Sequence, residues 1–164
     1  MMALLKHHEL ILIIGPCGAG KTTYARAHYP QHARPEHEAM IRAMTPDGAL
    51  HYEPVLRAIA PRLQDLAVAG LLQRGYAVCV TDGGAMPKDR ARWVTLATAT
   101  CTPVHVIRLV VSPARAIYRA QSDPHRPKTS KSAWPTIVQN WYRHWEAVDA
   151  QAEGITTYQE VVNE

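Results

Sequence analysis

Residues 15 to 22 read GPCGAGKT and satisfy the spacing G-x-x-x-x-G-K-[ST] in full. Glycines in such a run let backbone N–H groups turn inward around phosphate oxygens, and the closing lysine and hydroxyl add a cation and a metal ligand. Read this way, Gly15, Gly18, Ala19, Gly20, Lys21, Thr22 and Thr23 hold the triphosphate of ATP. Lys21 reaches the β and γ phosphates and Thr22 holds Mg²⁺. A glycine turn that binds nothing is the competing reading, and it leaves the complete motif and its strand-to-helix setting unexplained. Cys17 inside the loop raises the question of redox chemistry, because helix N-termini lower thiol pKa values. That position of the loop tolerates many residues, so the thiol by itself carries little.

A phosphoryl donor needs a carboxylate near an acceptor hydroxyl and a cationic lid over the group in flight. The candidate carboxylates are Glu36, Glu38 and Asp82. Asp82 follows the apolar run YAVCV and projects at the carboxyl edge of a sheet, as a ligand to Mg²⁺-bound water or a group that positions the acceptor; a turn role in TDGG competes with this. Glu36 and Glu38 come just after a weak strand or loop at 31–35, where either could take the proton from an attacking hydroxyl. Glu38 and Arg42 are also spaced for a helix salt bridge. The candidate lid cations are Arg115 and Arg119, spaced to share a helix face, and Arg126 beyond them. Residues 105–131 carry Arg108, Arg115, Arg119, Arg126, Lys128 and Lys131 against Asp123 alone. Like charges crowded on one face cost stability unless an anion joins them, which favours phosphate binding over a merely solvated basic face.

These groups need elements to place them. Residues 9–14 form an Ile-rich apolar run suited to a buried parallel strand, and KTTYARAHY is helical up to Pro30. EHEAMIRAM predicts a short helix with Pro35 near its first turn. From Glu53 to Arg74, Val55, Leu56, Ile59, Leu63, Leu66, Ala67, Leu71 and Leu72 recur at helical spacing, with Pro61 expected to kink or split the helix and Gly75 to stop it. YAVCV is a second strand, PKDRARWVTLATAT a third helical stretch and VHVIRLVV the clearest strand. SPARAIYRAQ starts another helix with Ser112 as N-cap. A polar, basic, proline-rich excursion follows, then a last helix from Pro135 through Asp149, and GITTYQEVV as an edge strand. Alternating strands and helices predict a single α/β domain over 1–164, a parallel sheet covered by helices on both faces with ligands at the strands' carboxyl ends.

Taken together, these stretches resemble the P-loop kinases related to the bacteriophage polynucleotide 5′-hydroxyl kinase, a branch of the adenylate-kinase-like group that also includes zeta-toxin-like kinases. GPCGAGKTTYA matches the phosphate loop, DGGAMPKDRARW a D-x-N-x-x-P-x-x-R-x-x-W-like segment, and RAIYRAQSDPHRPK an arginine lid, followed by AWPTIVQNWYRHWE. The resemblance implies a P-loop NTPase fold with an arginine-bearing lid at about residues 115–134. It also implies Lys21 and Thr22 as phosphate and Mg²⁺ contacts and Arg126 as the lid arginine on the transferred group, while Arg119, by its charge on the lid helix, reads as a nucleotide contact. Asp82 then organises the acceptor, and Arg42 grips an acceptor phosphate. Two departures stand out. The family's aspartate base lies three residues before that arginine, where this chain has Ala39, and Gly83 and Gly84 replace polar residues after Asp82.

The implied acceptor is a hydroxyl of a nucleic acid, with DNA the leading partner. It is either a polynucleotide 5′-hydroxyl or the hydroxymethyl group of 5-hydroxymethyluracil in phage DNA, the latter requiring a flipped or single-stranded base. Gly83 and Gly84 could make room for such a base, and Trp93, Trp134, Trp141 and Trp145 are either stacking platforms or core. A small-molecule kinase and a nucleic-acid-binding ATPase module are the other two readings. No guanine-reading N-K-x-D is present, and the 164 residues leave no room for a motor's further elements. No stretch has the ~20 apolar residues of a membrane span, and the opening MMALLKHHEL is too polar for a signal peptide, so a cytoplasmic protein is expected. Cys17, Cys79 and Cys101 lack metal-like spacing and read as reduced thiols.

Overall fold

A computed structural model describes residues 4–51, 53–124 and 133–164. Four strands form one parallel sheet: β1 (Leu10–Ile14), β2 (Val78–Asp82), β3 (Val104–Val110) and β4 (Thr157–Val162), in spatial order β2-β1-β3-β4. The connections carry α1 (Lys21–His28), α2 (His37–Ala43), α3 (Pro54–Leu72), α4 (Pro87–Thr98), α5 (Pro113–Ser122) and α6 (Trp134–Arg143). This is the expected α/β architecture. The register sets Ile14, Asp82 and Arg108 side by side, so the carboxyl ends of β1 and β2 finish together.

β1 is buried along its whole length because both of its faces are covered. Leu10, Leu12 and Ile14 pack on one side with Val68 and Leu72 of α3, Trp93 and Ala97 of α4, and Trp145. Ile11 and Ile13 pack on the other with Ala25 of α1, Ala116 of α5 and Val138 of α6. The period-two alternation of strand side chains thus feeds two cores with one strand between them. The weak segment at 31–35 adds only an isolated bridge, Ala33 to Val78.

Three features of α3 and α6 depart from the sequence expectation. α3 runs unbroken through Pro61. A proline removes one i→i−4 hydrogen bond, and burial of the helix through Ala60, Gln64, Val68 and Leu72 carries it past that gap. Second, that buried row matches the predicted one only in part: Leu72 is buried and Leu56 and Leu71 pack on the core, whereas Val55, Ile59, Leu63 and Leu66 are exposed, Leu66 at 71%. The inward row includes Gln64, whose Nε2 donates to the Pro35 carbonyl at 2.8 Å. A glutamine tying down the chain ahead of α2 defines the face here, which apolar counting misses. Third, α6 ends at Arg143 rather than Asp149. The carbonyls of Glu146 and Ala147 turn instead to the Arg90 guanidinium, at 3.2 and 3.4 Å.

Candidate active site

Lys21 opens α1 directly after Gly20, and α1 has no acidic residue in its first turn, so the helix offers an uncompensated positive end. Gly18 has φ 81°, and a Cβ on it would overlap the Ala116 carbonyl oxygen of α5. The loop therefore lies flush against α5 as a bare backbone. Ala19 N donates to Pro16 O at 3.1 Å, closing the turn. Lys21 Nζ donates to the carbonyls of Gly15 and Pro16, both at 2.8 Å, which holds the ammonium over the loop mouth. Thr22 and Thr23 are exposed at the helix start. Donor type, glycine cradle and helix end all fit a polyphosphate with a divalent cation. Lys21 would hold the phosphates and the Thr22 hydroxyl the Mg²⁺.

Asp82 is the last residue of β2, two residues further along the strand than YAVCV suggested, and is half-buried. Trp93 Nε1 donates to its Oδ2 at 2.7 Å, which fixes the orientation of the carboxylate. Gly15 N donates to Gly83 O at 3.2 Å, stitching the phosphate loop to the residue after Asp82. This turn is clamped from three sides. Trp141 Nε1 donates to Gly83 O at 2.9 Å. Arg90, fully buried, donates to Gly84 O at 2.9 Å and pairs with Glu153 at 2.6 Å. A Cβ on Gly84 would strike Ile14 Cγ2, and one on Gly83 would rest 3.8 Å from Trp141.

The space beside Gly84 is thus filled by Ile14 of the core, so that glycine does not leave room for a base, while Gly83 has ordinary contact with Trp141. Trp93 is likewise core, with no exposure, and Trp134 is buried with 5% exposure. Trp141 and Trp145 stack on each other at 5.1 Å, with Arg108 over the Trp145 ring at 4.0 Å. The segment DGGAMPKDRARW gains a physical meaning: its arginine and tryptophan hold the strand-end turn from beneath.

The acceptor-side carboxylates separate. Glu36 is the N-cap residue of α2 and pairs with Arg26 of α1 at 3.1 Å. Glu38 lies in the first turn of α2, and Arg42 reaches Gly48 O at 3.5 Å. Between the two glutamates sits His37, a residue the sequence reading passed over. It is half-buried, and burial pushes its pKa down, with the charges of Glu38, Arg92, Asp82 and Arg57 acting on it. Charges on the first turn of α3, on α4 and at the end of β2 thus act on the start of α2. The signal was present in the EHE triplet beside a strand end, hidden by the two carboxylates around it.

Of the cations, Arg115 is exposed and lines a shallow groove with Ser112, Tyr118 and Glu164. Ser112 caps α5 as expected, its Oγ accepting from Arg115 N at 3.4 Å. Arg119 is half-buried and donates to Asn163 O at 2.7 Å. Arg126, with Lys128 and Lys131, lies outside the described residues, as does much of the expected lid. Cys79 is buried, which pushes its thiol up to about 12 and keeps it protonated. Cys17 packs against the α1–α5 core.

Among the described residues, no helix is long and apolar enough to cross a membrane. None of the curated proteins matches the sequence. Solved structures share the fold at low identity. One, of the PezAT chromosomal toxin–antitoxin system of Streptococcus pneumoniae, is 15% identical at a TM-score of 0.70, covering 97% of this chain and 70% of that one. Another, of the Pnkp1/Rnl/Hen1 RNA repair complex, is 18% identical at 0.60, covering 87% of this chain and 48% of that one. A shikimate kinase from Acinetobacter baumannii in complex with shikimate is 19% identical at 0.57, covering 95% and 85%. The phosphate loop, the strand-end aspartate and the strands β1 and β2 that carry them all fall within residues 10–146, which match the model of the AAA_33 family, described as an AAA domain, and the chain belongs to that family.

Proposed function

We propose that the protein is an ATP- and Mg²⁺-dependent kinase that places the γ-phosphate on a hydroxyl of a nucleic acid. The observation that carries the kinase reading is the junction of Gly15 with Gly83, which sets the Lys21 cradle beside an Asp82 carboxylate already oriented by Trp93. A bound nucleotide supplies the phosphoryl group. Lys21 holds the phosphates, Thr22 and Asp82 organise the metal and its water, and Arg119 and Arg126 supply positive charge as the group transfers. The His37–Glu38 corner takes the acceptor hydroxyl, with Glu38 and Glu36 the candidate bases. Glu36 is the weaker of the two because Arg26 already engages it. Arg42 stands as the candidate contact for an acceptor phosphate.

The nucleic-acid acceptor rests on the basic 105–131 segment and on the likeness to the polynucleotide kinase family, with the RNA repair complex among the structures of similar fold supporting it. A 5′-hydroxyl terminus is the first choice over 5-hydroxymethyluracil, because Ile14 fills the space beside Gly84. The second reading is a small-molecule kinase. It is favoured by the shikimate kinase likeness, which spans 85% of that chain. Incubation with γ-labelled ATP and a panel of 5′-hydroxyl DNA, 5′-hydroxyl RNA, 5-hydroxymethyluracil DNA, nucleosides and shikimate separates them. Label on an oligonucleotide terminus is expected. Label confined to a small molecule would overturn the nucleic-acid reading and keep the kinase.

A further inference from the structure

The tail of β4 meets the phosphate loop from behind. Asn163 Nδ2 donates to the Ala19 carbonyl at 2.7 Å, and the same nitrogen lies 2.7 Å from where a Cβ on Gly20 would be. Asn163 N donates to Val110 O at 2.8 Å, at the carboxyl end of β3. Its carbonyl in turn accepts from Arg119 of α5 at 2.7 Å. One half-buried residue therefore joins the loop, the sheet and the arginine-bearing helix. We propose that Asn163 is a positioning residue for the phosphate donor, fixing the phosphate loop at Ala19 and tying α5 to that loop through Arg119.

The physical need is specific. A loop whose N–H groups turn inward to an anion must turn some carbonyls outward, and an outward carbonyl packed against protein requires a donor. Lys21 serves the carbonyls of Gly15 and Pro16, and the Asn163 amide serves that of Ala19. Arg119 is linked to the loop through the Asn163 carbonyl. A shift of α5 is then felt at Ala19, and a shift of the loop at Arg119. The sequence gives no warning of this: Asn163 is separated by 144 positions from Ala19 and belongs to no motif.

The inference rests on the nucleotide reading above, and its test reads binding rather than transfer. Mg²⁺–ATP affinity of the full chain is measured by calorimetry for the wild type, Asn163→Ala, Asn163→Asp, Arg119→Ala, the Asn163→Ala/Arg119→Ala pair and Lys21→Ala. The nucleotide-free melting temperature of each is recorded alongside. Loss of one hydrogen bond to the loop predicts a fall in affinity of about three- to tenfold for Asn163→Ala. Asn163→Asp has the same shape but sets an acceptor against the Ala19 carbonyl, so it weakens binding at least as much. The double variant loses less than the product of the two single effects. An Asn163→Asp affinity equal to wild type would show that shape alone matters and overturn the proposal. So would independent effects in the double variant, or an affinity loss accounted for by the fall in melting temperature. A wild type no better than Lys21→Ala would instead overturn the nucleotide reading itself.

Discussion

Asp82 owes its orientation to Trp93, and that single hydrogen bond is where the site joins the core. Trp93 is fully buried, so its indole cannot turn away to release the carboxylate. Trp93→Phe keeps most of the packing and removes the donor. Turnover should fall about three- to tenfold with a raised Mg²⁺ requirement and ATP affinity little changed, read from initial rates across an Mg²⁺ titration. An unchanged Mg²⁺ dependence would place Asp82 away from the metal. At this scale the geometry of the phosphate loop was legible because GPCGAGKT encodes its own backbone conformation. The surroundings of Asp82 and of the proposed acceptor corner were not, since His37, Trp141 and Arg90 act through contacts with residues distant in the chain.

The helices divide along a similar line. α1, α4 and α5 could be read from local signals: a glycine stop before Lys21, Pro87 at the first turn with Asp89 accepting from Met86 N at 3.1 Å, and Ser112 capping α5. α3 could not, because its sequence offers two apolar rows and the choice between them is made by α2, α4 and the sheet. Val68 lies on the buried row and Leu66 on the exposed one. Val68→Ala should cost about 2 kcal/mol, while Leu66→Ala stays within about 0.5 kcal/mol of wild type, both from urea unfolding at equilibrium. The reverse order would restore the face that the apolar count had suggested. The early end of α6 has the same origin: nothing in WEAVD announces that Arg90, on another helix, claims the next carbonyls.

Across the whole molecule, burial couples stability to acid. His32 and His37 both have pKa values pushed below 6.5 by burial. For His32 this outweighs its Glu9 contact, and for His37 it outweighs Glu38 and Asp82, with Arg92 and Arg57 reinforcing it. The unfolded chain takes up these protons first as pH falls through 6.5, so this contribution is complete above that value and is lost below it. The melting temperature should therefore drop between about pH 7.5 and 5.5 at constant ionic strength, and a level profile would contradict the burial of these imidazoles. The α/β class and the parallel sheet were legible from the alternation of strand and helix signals. The strand order and the β4 tail behind the phosphate loop needed the folded chain, because parallel neighbours are joined only by long crossovers. The central claim is that Lys21 and Asp82 form one phosphoryl-transfer site. Its most direct measurement is transfer from γ-labelled ATP to a 5′-hydroxyl oligonucleotide by the wild type and by Lys21→Ala with equal melting temperatures. Label on the oligonucleotide that requires both Mg²⁺ and Lys21 is the predicted result; label that persists in Lys21→Ala, or ATP bound by the wild type with label passed to no acceptor, would contradict it.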